Sequence, residues 1–152
     1  MNHKDQRSVG ALIALDDADM QAGLRDAFEA SGLASPLLAS TPEQLWTILG
    51  GSSLDLIVMS SSIGGQFVAP MISEIRRGKL GPHPFPIVVV LVSDADPATM
   101  RQVSNCGPDD MIALPCAPQL LLDRINVFLS GTRRPLVVTD GYAGPERRIT
   151  PR

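Results

Sequence analysis

Histidine, cysteine and aromatic side chains are all scarce in this chain. There are two histidines, two cysteines, one tryptophan, one tyrosine and four phenylalanines, and the aromatic share is 4% of 152 residues. Two cysteines cannot build a disulfide framework, and no metal-ligand spacing is present. Cys106 and Cys116 read as small buried or loop residues. His3 lies in the terminal segment and His83 in a proline-rich loop, and neither has an evident partner for acid–base work. Nowhere do 18 apolar residues run together, so nothing reads as a membrane span, and no apolar signal segment follows the opening MNHKDQRS. A reducing cytoplasm fits these absences best.

Net charge is also small, −3, but it is uneven. Residues 1–130 carry eight Lys/Arg against fourteen Asp/Glu, a net of −6, and residues 131–152 carry five Arg against Asp140 and Glu146, a net of +3. The body is therefore a poor nucleic-acid binder on charge alone. The tail is a basic appendage that could meet an acidic surface, including this domain's own.

What is present is an alternation of apolar runs and amphipathic stretches. The central one is Leu54–Gly65, LDLIVMSSSIGG, an apolar run that breaks into three serines and two glycines. It reads as a buried strand with a loop at its C-terminal end, where open parallel sheets site their chemistry. Val9–Leu15 reads as an earlier buried strand, ended by Asp16-Asp17. Asp19 to Ala30 reads as a helix with Met20, Leu24, Ala27 and Phe28 on one face. Leu37–Ala39 is a weak edge strand. Thr41-Pro42-Glu43-Gln44 is a helix start with a cap, a proline at the first turn and a capping-box glutamine. In that helix Trp46 reads as core or partly exposed packing. Phe67–Arg77 predicts a helix with Met71, Ile72 and Ile75 inward and Glu74, Arg76 and Arg77 outward. Ile87–Val92, IVVVLV, suits a central strand covered on both faces. Asp96-Pro97 opens a helix to about Ser104, Met111–Leu114 is a fifth strand, and Pro118–Leu129 is the last helix. Five βα units in one domain predict a doubly wound parallel sheet. The expected division is a flexible terminus over 1–7, a domain over 8–130 and a basic tail over 131–152. The tail's composition favours turns and extended chain, with Leu136–Thr139 as a short extended segment.

A strand ending in Asp-Asp, a third strand ending at Ser60, and GPDDMIALPCAP near the end together resemble a response-regulator receiver domain of the CheY-like superfamily. The resemblance covers roughly residues 8–130. It implies a flavodoxin-like (βα)5 sandwich with strand order 2-1-3-4-5. In that family an acidic pair after the first strand helps to hold Mg²⁺, and Asp16 and Asp17 match it. The third strand ends in an aspartate that accepts a phosphoryl group from a histidine kinase, and Ser60 stands at that position. The switch hydroxyl after the fourth strand falls at Val92 by a gapless count, with Ser93 one place later. The family's fifth strand ends in Lys-Pro, where this chain has Leu114-Pro115, and its aromatic switch position falls at Met111. Gly107-Pro108-Asp109-Asp110 keeps the turn before the fifth strand.

The resemblance thus implies a kept fold and a replaced reactive centre. A carboxylate is anionic and ligates a metal, whereas a serine hydroxyl is neutral and needs a base. Leu114 cannot donate to an acyl phosphate. Asp16 and Asp17 plus one backbone carbonyl, Ser62 by match, are a thin set for Mg²⁺, and no cofactor is expected. The plainer reading is that one of the two aspartates caps the first helix. The expected function is a degenerate, phosphorylation-independent receiver, not an enzyme. It would act as a protein-interaction module in bacterial two-component signalling, with a histidine kinase or other signalling protein as partner. Homodimerisation is an open expectation, and neither nucleic acid nor membrane is an expected partner, the 22-residue tail being too short for a helical DNA-binding domain. The expected interaction face includes Met111, Ile112 and Ala113. Two alternatives stand beside it: a phosphoryl-accepting receiver using Ser60 with Mg²⁺, and a small-ligand binder using Asp17, Ser60 and Ser93. Arg133-Arg134 with Arg147-Arg148 reads either as a solvated tail or as a docking element.

Overall fold

The computed structural model describes residues 9–93 and 95–147, so the expected flexible terminus, His3 and Arg148 lie outside the described residues. Five strands form one parallel sheet: β1 (Ala11–Ala14), β2 (Leu37–Ala39), β3 (Leu56–Ser60), β6 (Ile87–Val92) and β7 (Asp110–Ala113). Their order is β2-β1-β3-β6-β7, which is the expected 2-1-3-4-5 arrangement of a doubly wound α/β sheet. The register aligns Ala14 with Met59, Ser60 with Leu91, and Val92 with Ala113. Strands β1, β3 and β6 are buried along their whole length, which explains why they read as nearly unbroken apolar runs.

Side chains alternate between the two faces of the sheet. Ile13, Val58, Val89, Leu91 and Ile112 pack against helices α1 (Ala18–Ala30) and α5 (Pro118–Leu129), through Leu24, Phe28, Leu121 and Ile125. Leu12, Ile57, Met59, Val88, Val90 and Val92 pack on the other face against α2 (Pro42–Gly51), α3 (Pro70–Arg76) and α4 (Pro97–Ser104). Each full burial of such a side chain is worth about 1.5–3 kcal/mol against exposure, so these two layers dominate the fold's stability.

The helix starts follow the local chemistry. Asp17 caps α1, its Oδ1 accepting from the Met20 N–H at 3.0 Å. Thr41 caps α2 by accepting from the Gln44 N–H at 3.1 Å, and the Gln44 side chain accepts in return from the Ser40 N–H at 2.7 Å. Asp96 caps α4 ahead of Pro97. Each such cap contributes about 1 kcal/mol. Trp46 is 52% exposed on α2, outside the core.

Two local expectations are corrected. Helix α3 starts at Pro70, not Phe67, because Gln66–Phe67 (β5) pairs antiparallel with Ser62–Ile63 (β4). The two residues between them, Gly64 and Gly65, have φ of 59° and 80°, the left-handed pair that a tight hairpin requires. The second correction concerns Arg76. The outward reading fails: its side chain is 1% exposed, packed at the end of α3 beneath the sheet.

Beyond α5 the tail turns back as a hairpin. Strand β8 (Leu136–Val138) pairs antiparallel with β9 (Ala143–Pro145). Tyr142 closes it, its hydroxyl donating to the Pro145 carbonyl at 2.7 Å. Residues Tyr142–Pro145 are buried.

Candidate functional site

The C-terminal edge of the sheet holds a hollow of about 310 Å³. Strand β1 delivers Leu15, Asp16 and Asp17 to it, β3 delivers Ser60 and the turn after it Ser62 and Gly65, β6 delivers Leu91 and Ser93, and β7 delivers Leu114. The structure therefore brings together the acidic pair, Ser60, Ser62, Ser93 and Leu114.

Val92 is not among them. It is fully buried in the layer formed with α2, α3 and α4. Strand alternation gives the reason: Leu91 and Ser93 share one parity, and Leu91 lies beside Ser60 in the register. The residue that borders the hollow after β6 is Ser93, so the gapless placement at Val92 is corrected by one residue. The face expected around Met111, Ile112 and Ala113 is also divided by parity. Ile112 is 4% exposed and belongs to the core, while Met111 is half-buried and Ala113 exposed.

The acidic pair is engaged by backbone. Asp16 Oδ2 accepts from the Gly64 N–H at 2.6 Å, which ties the β4–β5 hairpin to the end of β1. Asp17 is the helix cap described above, set where the α1 dipole favours an anion. Ser60 is buried, and its Oγ accepts at 3.4 Å from the Ser62 N–H, a long contact. Leu114 adds an apolar wall. Gln21 anchors the same edge: its side-chain N–H groups donate to the carbonyls of Ile13, Leu15 and Ala39 at 3.3, 3.3 and 2.9 Å. Its position between Met20 and Leu24, on the inner face of α1, was the sequence signal for it.

These residues do not fit Mg²⁺. The ion takes six oxygen ligands in near-octahedral geometry and favours anionic ones. Here only two carboxylates border the hollow, each with one oxygen on a backbone N–H, and the third position is a neutral hydroxyl. Among the described residues no group of three or more His, Cys, Asp or Glu side chains could hold a metal ion. What the hollow can do chemically is accept and donate hydrogen bonds. It offers neither a general base beside Ser60 in the form of histidine nor a cation at Leu114.

The opposite edge of the sheet carries the stronger electrostatics. Asp109, just before β7, has a side chain 1% exposed. Its Oδ2 accepts from Arg76 Nη2 at 2.8 Å and from the Val88 N–H at 2.8 Å. Arg133, from the tail, donates through Nε to Asp109 Oδ1 at 2.7 Å and through Nη2 to Oδ2 at 3.2 Å. The other hydrogen bonds of both arginines go to carbonyls. Arg76 reaches those of Gly107, Pro84 and Pro86, and Arg133 those of Phe85 and Pro86. Burial pushes the Arg76 guanidinium below its ordinary pKa; Asp109 opposes that shift and Arg133 adds to it. The tail thus lies on this domain's own acidic residue, and Arg133 acts as a docking element. Gly107, with φ of 97°, lets the hairpin approach, since a Cβ there would collide with the Ala143 carbonyl oxygen.

Among the described residues, no helix is long and apolar enough to cross a membrane. No protein-family model matches the chain, and no curated protein matches it in sequence. Solved structures do resemble it. The receiver domain of the Francisella response regulator 1452 superposes with a TM-score of 0.71 at 17% identity, covering 83% of this chain and all of that one, 100%. A CheY-like response regulator receiver domain protein from Methanospirillum hungatei JF-1 gives 0.70 at 16% identity, over 81% of this chain and 95% of that one. A response regulator from Thermotoga maritima gives 0.65 at 21% identity, over 81% and 99%. With the sheet order and the hollow at its C-terminal edge, these likenesses show that the chain has the fold of a response-regulator receiver domain.

Proposed function

We propose that the chain is a phosphorylation-independent receiver that works as a protein-interaction module in bacterial two-component signalling. It is not an enzyme in this reading. It acts in the cytoplasm by holding another protein, such as a histidine kinase, or a second copy of itself. One observation carries the reading: the hollow at the strand ends holds Ser60 and Leu114 where phosphoryl chemistry needs an anionic nucleophile and a cation, and its two carboxylates are engaged by backbone N–H groups. Incubation with acetyl phosphate and Mg²⁺, followed by intact mass, tests it. The mass is expected to stay unchanged. A phosphoryl gain that disappears in Ser60→Ala overturns the reading in favour of a serine-using receiver.

A second reading has an observation of its own. The hollow's roughly 310 Å³, bordered by two carboxylates and three serines, falls at the small end of ligand-sized cavities. A small polar ligand held by Asp17, Ser60 and Ser93 suits it. A crystal structure showing shaped density on these groups supports this reading, and one showing water alone removes it.

A further inference from the structure

A second cavity lies away from the strand-end hollow. It is a groove of about 630 Å³, bounded by β7 and α5 on one side and by the tail hairpin on the other. Pro108, Met111, Val127 and Phe128 give it an apolar floor and wall, and Val127 is 50% exposed there. The rim is basic. Arg133 is matched to Asp109, and Arg124 Nη1 donates to Asp110 Oδ2 at 2.6 Å. Arg134 and Arg147 reach no carboxylate among the described residues. Arg134 Nη1 donates to the Glu146 carbonyl at 3.1 Å. Arg147 Nη1 donates to the Asn105 side-chain oxygen at 2.8 Å, and its guanidinium lies 3.9 Å over the Tyr142 ring. Each guanidinium has five N–H donors in a planar fork suited to carboxylates, so both keep donors for a ligand.

We propose that this groove binds an acidic, apolar-anchored peptide segment of a partner protein, with Arg134 and Arg147 receiving its carboxylates and Val127 and Met111 its apolar side chains. The inference rests on the reading of the chain as an interaction module, and it names the partner's chemistry. Charge complementarity selects this occupant. The chain's own terminal segments are basic: residues 1–8 carry Lys4 and Arg7 against Asp5, and residues 148–152 carry Arg148 and Arg152. A basic rim disfavours both. A continuous polyanion such as nucleic acid meets the carboxylates of Asp110 and Glu146 at the same groove. Discrete carboxylates spaced by apolar side chains match two arginines beside an apolar wall, and unlike a continuous polyanion they need not place a charge at Asp110 or Glu146. The hairpin matters because it supplies the basic wall; β7 and α5 alone would present an open apolar face.

The test is fluorescence anisotropy on the full chain with three labelled probes. These are a twelve-residue peptide of repeated Glu-Leu-Asp-Phe, the same peptide with Gln and Asn for its acids, and a twelve-base-pair DNA duplex. Saturable binding of the acidic peptide is expected, weakened about tenfold in Arg134→Ser/Arg147→Ser and weakened as well in Val127→Glu on the opposite wall. The neutral peptide is expected to bind about tenfold more weakly than the acidic one to the unaltered chain, a comparison that needs no variant to fold. Absent binding of the acidic peptide, equal binding of the neutral one, an unchanged affinity in the double variant, or tighter binding of the duplex overturns the proposal. So does a doubled mass in light scattering that the double variant abolishes, which would make a second copy the occupant. A phosphoryl gain at Ser60 would sink the functional reading while leaving this titration interpretable, and the failure of the titration would leave the unreactive hollow as it stands.

Discussion

The two edges of the sheet have opposite electrostatic character. At the C-terminal edge, Asp16 and Asp17 are exposed, Ser60 is neutral, and Leu114 lines the same hollow with hydrocarbon. At the N-terminal edge, one buried carboxylate is shared by two arginines, each with four hydrogen bonds to protein oxygens. The comparison teaches where this fold keeps its costly polar interactions. A charge removed from water must be fully paired, and only the N-terminal edge does this. The C-terminal edge needs no such network, because its carboxylates remain in contact with solvent.

The largest effect is expected from breaking the buried network. Asp109→Ala leaves the Arg76 charge buried without its partner and releases Arg133. The expected loss is about 3–5 kcal/mol, a large part of an ordinary domain's stability. Urea unfolding measures it. A loss below about 1 kcal/mol, the level of an exposed ion pair, would mean that the two edges do not differ as described.

Gly107→Ala attacks the same edge without touching charge. The added methyl would collide with the Ala143 carbonyl oxygen, and the φ of 97° is strained for any side chain. The hairpin has to shift or lift, at an expected cost of about 1–3 kcal/mol. Thermal unfolding reads the cost, and faster proteolysis within 132–147 reads the lifting. If the variant matches the unaltered chain in both, the hairpin does not pack on this turn.

Most of the fold was legible in the sequence, and the reasons are local. IVVVLV at 87–92 can be little other than a strand buried on both faces, and Thr41-Pro42 and Asp96-Pro97 mark helix starts by their own backbone chemistry. Arg76 was not legible. It follows Ile75 on α3 and carries a charge, so pattern alone assigns it to solvent; its burial depends on Asp109, 33 positions away. Ser93 and Val92 show the same limit at smaller scale, since a count without gaps cannot tell one strand parity from the other. The tail hairpin was hidden because its partners, Gly107 and Asp109, come from a turn before β7. Ser60, Leu114 and the acidic pair could be placed together only because the resemblance supplied an order of strands.

At the C-terminal edge the expected effect is smaller. Ser60→Ala removes a hydroxyl whose one described hydrogen bond is long, 3.4 Å, and it is expected to change stability by less than about 1 kcal/mol. Urea unfolding alongside Asp109→Ala gives the contrast directly. A loss comparable to that of Asp109→Ala would show that Ser60 anchors this edge, and the comparison would have to be redrawn.

The smallest effect is a dependence on alkaline pH at the hairpin. Burial raises the pKa of the Tyr142 phenol above its ordinary value, and the nearby Arg147 and Arg76 charges only partly oppose this. The folded chain therefore favours the neutral phenol, which is also the form that donates to the Pro145 carbonyl. A group with a raised folded pKa contributes stability that is present in full below its unfolded pKa, about 10, and is lost as pH rises through the folded value. Other groups titrate in the same range, so the informative quantity is the difference from Tyr142→Phe. That variant keeps the ring under Arg147 but has no phenolic proton to lose. Between pH 9 and pH 11 the unaltered chain is expected to lose more thermal stability than Tyr142→Phe does. Equal losses would mean that the hairpin does not hold the phenol out of water, and the N-terminal edge would then owe its order to Asp109 and its two arginines without help from the ring.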